Sequence, residues 1–122
     1  MNIYISHPTA FDFHTELYQP IRSSKLNSQH TIALPHEHSD EQFDAKSFFK
    51  TCDLIIAEVS YPSTGQGIEL GWAVAQNLPV ICIYKKGQKF SGALKVISNT
   101  FIEYENQEDM ITKLAAELEK KN

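Results

Sequence analysis

Two short apolar runs, Leu54 to Ala57 and Leu78 to Tyr84, constrain the fold of this chain more than any other feature. Each is too short to span a membrane. Each is also nearly continuous, where a half-buried strand would alternate apolar and polar residues. Continuous runs belong to strands covered on both faces, the condition of a parallel sheet with helices on either side. Between them, Gln66 to Gln76 reads as a helix whose small residues Gly71, Ala73 and Ala75 permit close packing, and Asn77 before Pro79 ends it.

The same alternation runs through the rest of the chain. Asn2 to Ser6 reads as a first strand, Asp12 to about Tyr18 as a helix disturbed by Pro20, and Thr31 to Leu34 as a second, weaker strand. Glu41 to Cys52 places Ala45, Phe48, Phe49 and Cys52 on one helical stripe. Asp53 to Ser60 and Pro79 to Tyr84 are expected to be central strands. Ser91 to Ile97 forms a short helix, Thr100 to Tyr104 a further strand, and Asn106 caps a last helix that turns Met110, Ile111, Leu114, Ala115 and Leu118 inward. This order predicts an α/β fold with a doubly wound, Rossmann- or flavodoxin-like, five-stranded parallel sheet and helices on both faces. One domain over residues 1–122 is expected, since a chain of 122 residues that is 42% hydrophobic can bury one substantial core.

Composition narrows the partners. A net charge of −4 argues against a nucleic-acid surface, which needs clustered Lys and Arg to displace phosphate counterions. Lys85, Lys86 and Lys89 form the one local basic cluster and read as a solvated strand end, with a phosphate contact as the alternative. With no membrane-length apolar run and no signal-like leader, a cytoplasmic protein that binds a small molecule is expected. Cys52 and Cys82 lie among apolar neighbours and read as buried free thiols.

Ligands of such a sheet bind beyond the carboxyl ends of its strands, where Ser6 to Ala10 and Ser60 to Gly67 should meet. The second of these loops joins an apolar strand to a helix through Ser63, Thr64, Gly65 and Gly67, whose hydroxyls and backbone N–H groups suit a phosphate or sugar oxygen. Glu69 is expected in the first turn of that helix, where the positive helix end favours the carboxylate by about 0.3–1 kcal/mol. It can act as a nucleophile or ion-pair partner for a carbon that develops positive charge, as an anomeric carbon does. An exposed Glu that merely stabilises a helix start is the plainer alternative.

These residues carry a resemblance. From Cys52 to Trp72 the succession of an aspartate, an apolar strand, Ala57-Glu58-Val59-Ser60, Pro62-Ser63, Gly65, Glu69-Leu70-Gly71 and Ala73 resembles the nucleoside 2-deoxyribosyltransferase superfamily, especially its 2'-deoxynucleoside 5'-phosphate N-hydrolase branch. The resemblance implies that Glu69 attacks the anomeric carbon and that Ser63 helps hold a 5'-phosphate. It implies that Ser91 contacts the phosphate, often from a neighbouring subunit, and that Tyr4 lies near the reacting sugar. Asp44 stands one residue from the place of the aspartate that orients sugar and glutamate, so it is carried as catalytic, with a solvated residue as the alternative. The Gly-Ser-Ile-Arg-Gly type loop of the hydrolases is replaced here by Ser6-His7-Pro8-Thr9-Ala10, which leaves an unphosphorylated nucleoside open as substrate.

Other residues are weighed more plainly. His36 and His38 with Glu37, Asp40 and Glu41 form a His-x-His group that reads as a polar loop bordering the pocket, not a zinc site. His7 stands at the ligand edge, as ligand contact or plain loop residue. Glu58 is expected to orient its loop, and Trp72 to pack in the core or at a subunit contact.

The expected function is cleavage or transfer of an N-glycosidic bond in a (deoxy)nucleoside or nucleoside 5'-monophosphate through a glycosyl-Glu69 intermediate. Glu69, Asp44 and Tyr4 are the catalytic candidates, and Ser6, His7, Ser63, Thr64, Gly65, Gly67 and Ser91 the substrate contacts. No metal or organic cofactor is expected, and a homodimer or larger homo-oligomer is. An inactive nucleotide-sensing module and a cytokinin-activating-type nucleotide ribose hydrolase are the alternatives.

Overall fold

A computed structural model describes residues 1–39 and 43–121. Five strands, β1 (Asn2–Ser6), β2 (Thr31–Ala33), β3 (Leu54–Glu58), β4 (Val80–Lys85) and β5 (Thr100–Tyr104), form one sheet in the order β2-β1-β3-β4-β5. Every neighbouring pair is parallel. The chain therefore winds outward from β1 in one direction and from β3 in the other, and the point of reversal lies between those two strands. The register places Tyr4 beside Ile55 and Ser6 beside Ala57. At the start of β1 the Asp53 carboxylate accepts the Asn2 N–H at 2.7 Å, while the Asp53 N–H donates to the Asn2 carbonyl at 2.8 Å.

Because side chains alternate along a strand, β1, β3 and β4 each feed two cores. Ile3, Ile5, Leu54, Ile56, Ile81 and Ile83 face one layer, which holds Leu17, Ile21, Leu26, Leu114 and Leu118. Tyr4, Ile55, Ala57, Val80 and Cys82 face the other, with Ala45, Phe49, Leu70 and Ala73. Burial on both faces is the physical reason for the continuous apolar runs.

The helices are α1 (Gln19–Arg22), α2 (Leu26–Gln29), α3 (Ala45–Phe48), α4 (Thr64–Ala75) and α5 (Gln107–Glu119). A π-helical turn over His14–Tyr18 leads into α1, and a 3-10 turn spans Gly92–Val96. Pro20 does not break the segment. It sits in the first turn of α1, where its missing N–H costs nothing and its fixed φ suits the helix. The helix expected from Glu41 is confined to Ala45–Phe48, with Asp44 as its N-cap; residues 40–42 lie outside the described residues. Helix α4 ends as expected, with Asn77 in the left-handed region at φ 59° and the Leu78 N–H returning to the Ala73 carbonyl at 2.9 Å. Cys52 and Cys82 are buried free thiols. Among the described residues no helix is long and apolar enough to cross a membrane.

Candidate active site

A cavity of about 630 Å³ opens at the carboxyl ends of β1 and β3, where the strand order reverses. Tyr4, His7, Ser63, Gly65, Gln66, Glu69 and Trp72 line it, joined by Thr9, His36, Phe43 and Ile68. Its chemical centre is Glu69. The phenol of Tyr4 donates to Glu69 Oε2 at 2.8 Å, and Ser6 Oγ lies 3.5 Å from Oε1. Burial raises the Glu69 pKa, and the hydrogen bonds from Tyr4 and Ser6 oppose that rise by favouring the anion. Burial and the adjacent Glu69 push the Tyr4 phenol far up, so Tyr4 keeps its proton and acts as the donor.

This environment differs from the one expected. Helix α4 starts at Thr64, two residues before the expected Gln66, so Glu69 falls in its second turn and not its first. Since the field of the helix end fades within one turn, the groups that act on the carboxylate come from β1 instead. Ser63 is the N-cap and its Oγ accepts the Gln66 N–H at 3.3 Å. The N–H of Gly67, expected to hold substrate, donates to the Ser63 carbonyl at 3.1 Å and belongs to the helix. Thr64 and Gly65 stand in the first turn, where N–H groups have no intrahelical acceptor.

The strand-to-helix junction is held by Glu58, which is fully buried. Its carboxylate accepts the Ser60 N–H at 2.6 Å, the Ser60 hydroxyl at 2.9 Å and the hydroxyl of Tyr104. Its carbonyl accepts the Gln66 side-chain amide at 2.8 Å, tying the end of β3 to the first turn of α4. Glu58 does orient its loop. Burial raises its pKa against the pull of Tyr104 and Ser60.

His7 borders the cavity, although only 7% of its surface is exposed. Its Nδ1 lies 2.9 Å from the Pro8 carbonyl, which fixes the proton on Nδ1, and its Nε2 then accepts the Tyr18 hydroxyl at 2.6 Å. The Tyr18 oxygen in turn accepts the His36 backbone N–H at 3.0 Å. Desolvation lowers the His7 pKa to about 4, so the ring is neutral. Phe11, Phe13 and Tyr18 pack around it.

Pairwise similarity agrees with the geometry. Over 66 residues the chain is 33% identical to a Syntrophotalea carbinolica protein that carries the name 2'-deoxynucleoside 5'-phosphate N-hydrolase 1, covering 52% of this chain and 46% of that one. It is 50% identical over 46 residues to the 5-hydroxymethyl-dUMP N-hydrolase of Danio rerio, covering 38% of this chain and 29% of that one. The chain is a distant homologue of the 2'-deoxynucleoside 5'-phosphate N-hydrolases. It spans less than half the length of the curated relatives it matches. No family model matches the chain. In fold, this N-hydrolase homologue is similar to the Clostridium botulinum CMP N-glycosidase BcmB, with a TM-score of 0.67, 22% identity, and 94% of this chain and 99% of that one covered.

Three further residues of the homologue have places other than those expected. Asp44 is exposed and does not line the cavity; its carboxylate accepts the Ser47 N–H at 3.2 Å as the cap of α3. Ser91 caps the 3-10 turn through the Ala93 N–H at 3.4 Å, also outside the cavity of the single chain. Lys85 is not a free strand end. Its Nζ pairs with Glu16 at 2.6 Å and sits 4.7 Å from the centre of the Phe11 ring.

In the His36 group, Glu37 binds Arg22 at 2.7 and 2.9 Å and lies 3.4 Å from the exposed His38 ring, while His36 reaches the cavity. Among the described residues no three His, Cys, Asp or Glu side chains cluster as a metal site, and Asp40 and Glu41 lie outside them. Trp72 reaches the cavity wall instead of lying wholly in the core. Thr9 lies in the loop expected at the ligand edge, whereas Phe43 and Ile68 carried no sequence signal and are brought to the wall by topology.

Proposed function

We propose that the chain cleaves the N-glycosidic bond of a nucleoside or nucleotide, with Glu69 attacking the anomeric carbon. The observation that carries this reading is the Tyr4–Glu69 hydrogen bond inside the cavity at the strand reversal. A nucleophilic carboxylate must be ionised, fixed in direction and kept from bulk water. Tyr4 supplies the first two by favouring the anion and anchoring Oε2, which leaves Oε1 the more available oxygen.

In the first step Oε1 bonds to the anomeric carbon and the carbon–nitrogen bond breaks, its electron pair going to the departing base, which takes a proton from water. Water then attacks the glycosyl-Glu69 ester and restores the carboxylate; a second base in place of water gives transfer. Ser6 stands by to hydrogen-bond the carboxylate oxygen or the sugar, and Ser63 and Gly65, which line the cavity, are placed for the remaining sugar oxygens, with Thr64 beside them in the first turn of α4. Ser91 belongs to this scheme as a contact from a second copy, which light scattering of the purified protein tests.

The reading is tested by incubating the protein with a panel of nucleosides and their 5'-monophosphates and following free base by chromatography. Release that is lost in Glu69→Ala, with a glycosyl adduct on Glu69 seen by mass spectrometry of the quenched wild type, supports it. Release that survives in Glu69→Ala sinks the mechanism. The capping role of Asp44 favours a second reading, a module that binds nucleotides without turning them over; measurable binding without release from any panel member supports that one.

A further inference from the structure

We propose that Trp72 is the platform against which the base of the substrate docks, with Phe43 as the second aromatic wall. The proposal rests on the N-glycosidase reading of the same cavity and assigns which end of it takes which part of the substrate.

Helix α4 lies along the cavity. Ser63, Gly65, Ile68, Glu69 and Trp72 line it, a spacing that gathers residues three and four apart onto one face of the helix. At 1.5 Å of rise per residue, Gly65 and Trp72 stand about 10 Å apart along the axis, with Glu69 between them.

The two ends of that face differ in chemistry. The first is polar, with the Ser63 hydroxyl and the N–H groups of the first helical turn. The other is apolar, with Ile68, which is 51% exposed, and the half-buried rings of Trp72 and Phe43. The Phe43 ring lies 5.7 Å from that of Tyr4, so the aromatic end begins beside the Tyr4–Glu69 pair. Lys46 Nζ lies 5.8 Å from the centre of the Trp72 ring, a cation–π contact that ties the indole to α3. The imidazole of His36, also on the cavity wall, is packed instead against His7 and Phe13 at 5.8 and 5.9 Å.

A nucleoside or nucleotide is divided in the same way. Its sugar oxygens need hydrogen-bond partners, whereas its base offers flat faces that gain most from an aromatic ring. With the anomeric carbon at Glu69 and the 5' side towards Ser63, the base is directed to Trp72. Every base has such a face, so stacking fixes where the base lies and tolerates differences in which base it is.

Trp72 is the only tryptophan of the chain, so its fluorescence reports this position alone. The experiment titrates the Glu69→Gln protein, chosen to keep substrate intact, with a panel of nucleosides, their 5'-monophosphates and ribose 5-phosphate. Tryptophan emission and heat are followed in parallel. We expect each base-bearing ligand that binds by calorimetry to quench the emission saturably with the same midpoint, and ribose 5-phosphate to leave it unchanged. Binding without quenching, equal quenching by the sugar phosphate, or no binding by any member of the panel overturns the proposal. Emission that changes on dilution of the protein and not with ligand places Trp72 at a subunit contact and overturns it as well.

In turnover, Trp72→Leu should lower kcat/KM by about tenfold or more, chiefly by raising KM, while Trp72→Phe, which keeps a ring, retains most of it. Base release that is unmoved by Trp72→Leu overturns the proposal and leaves the glycosidase reading standing. Saturable quenching by base-bearing ligands with no base released by the wild type sinks the glycosidase reading and supports the platform.

Discussion

The phenol of Tyr4 on β1 donates a 2.8 Å hydrogen bond to Glu69 on α4, joining two residues 65 positions apart. The bond requires the parallel pairing of β1 with β3 and the close approach of α4 to that face of the sheet, where Leu70 and Ala73 pack with Tyr4. If it directs the carboxylate, Tyr4→Phe should lower turnover by about 10- to 100-fold, the range expected for a hydrogen bond to a charged group. The change belongs in kcat, with KM nearly unmoved. An unaltered kcat in a folded Tyr4→Phe protein would remove Tyr4 from the mechanism.

Glu69→Gln keeps the volume and can still accept from Tyr4. It should reduce base release by at least about a thousandfold, as loss of a nucleophile does. Because burial disfavours the native carboxylate, the same substitution should leave the urea midpoint equal or higher.

Asp44→Ala removes the cap of a one-turn helix at an exposed position. A small fall in melting temperature is expected, and if the residue serves only the helix end, kcat changes by less than about twofold. A large loss of kcat at full stability would return Asp44 to the site.

His7 provides a pH signature. Its folded pKa, about 4, lies below the ordinary value of 6.5, so the folded state binds the proton less readily than the unfolded chain. Its stabilising effect is therefore complete above the unfolded value and declines as pH falls towards the folded one. Urea unfolding between pH 7 and 4 should show a loss of up to roughly 3 kcal/mol, at 1.36 kcal/mol per unit. His7→Gln should flatten the profile, and an unchanged slope would assign the loss to other groups.

Tyr104→Phe withdraws one donor from the buried Glu58 carboxylate. A cost of about 1–3 kcal/mol is expected from urea unfolding, the range for a buried polar group left short of a partner. Turnover should fall as well if the junction beyond β3 sets the position of Glu69.

The legible part of this molecule was written in apolar periodicity and in the stop signals between runs. Continuous runs over Leu54–Ala57 and Leu78–Tyr84 mark strands buried on both faces, and Asn77 marks the end of α4 because it can take a positive φ. The carboxylate at Glu69 is legible in its strand–loop–helix setting, but its partner Tyr4 only through the resemblance, since no local spacing relates two residues on distant elements. Pro20 was misread because a proline inside a helical stretch looks the same whether it interrupts a helix or opens one. Lys85 was misread because its anion, Glu16, precedes α1 and meets it only across the fold. Asp44 offered two roles at one position, and the local backbone took it for a cap.

The Gln66 amide on the Glu58 carbonyl makes the end of β3 and the start of α4 one stiff corner, whereas the residues after β1 are tied to Tyr18 and His36 on another side of the fold. The corner that carries Ser63 and the first loop that carries His7 thus rest on separate supports. Substitutions in the first loop can therefore reshape one wall of the cavity while the helix that carries Glu69 keeps its seat on the sheet.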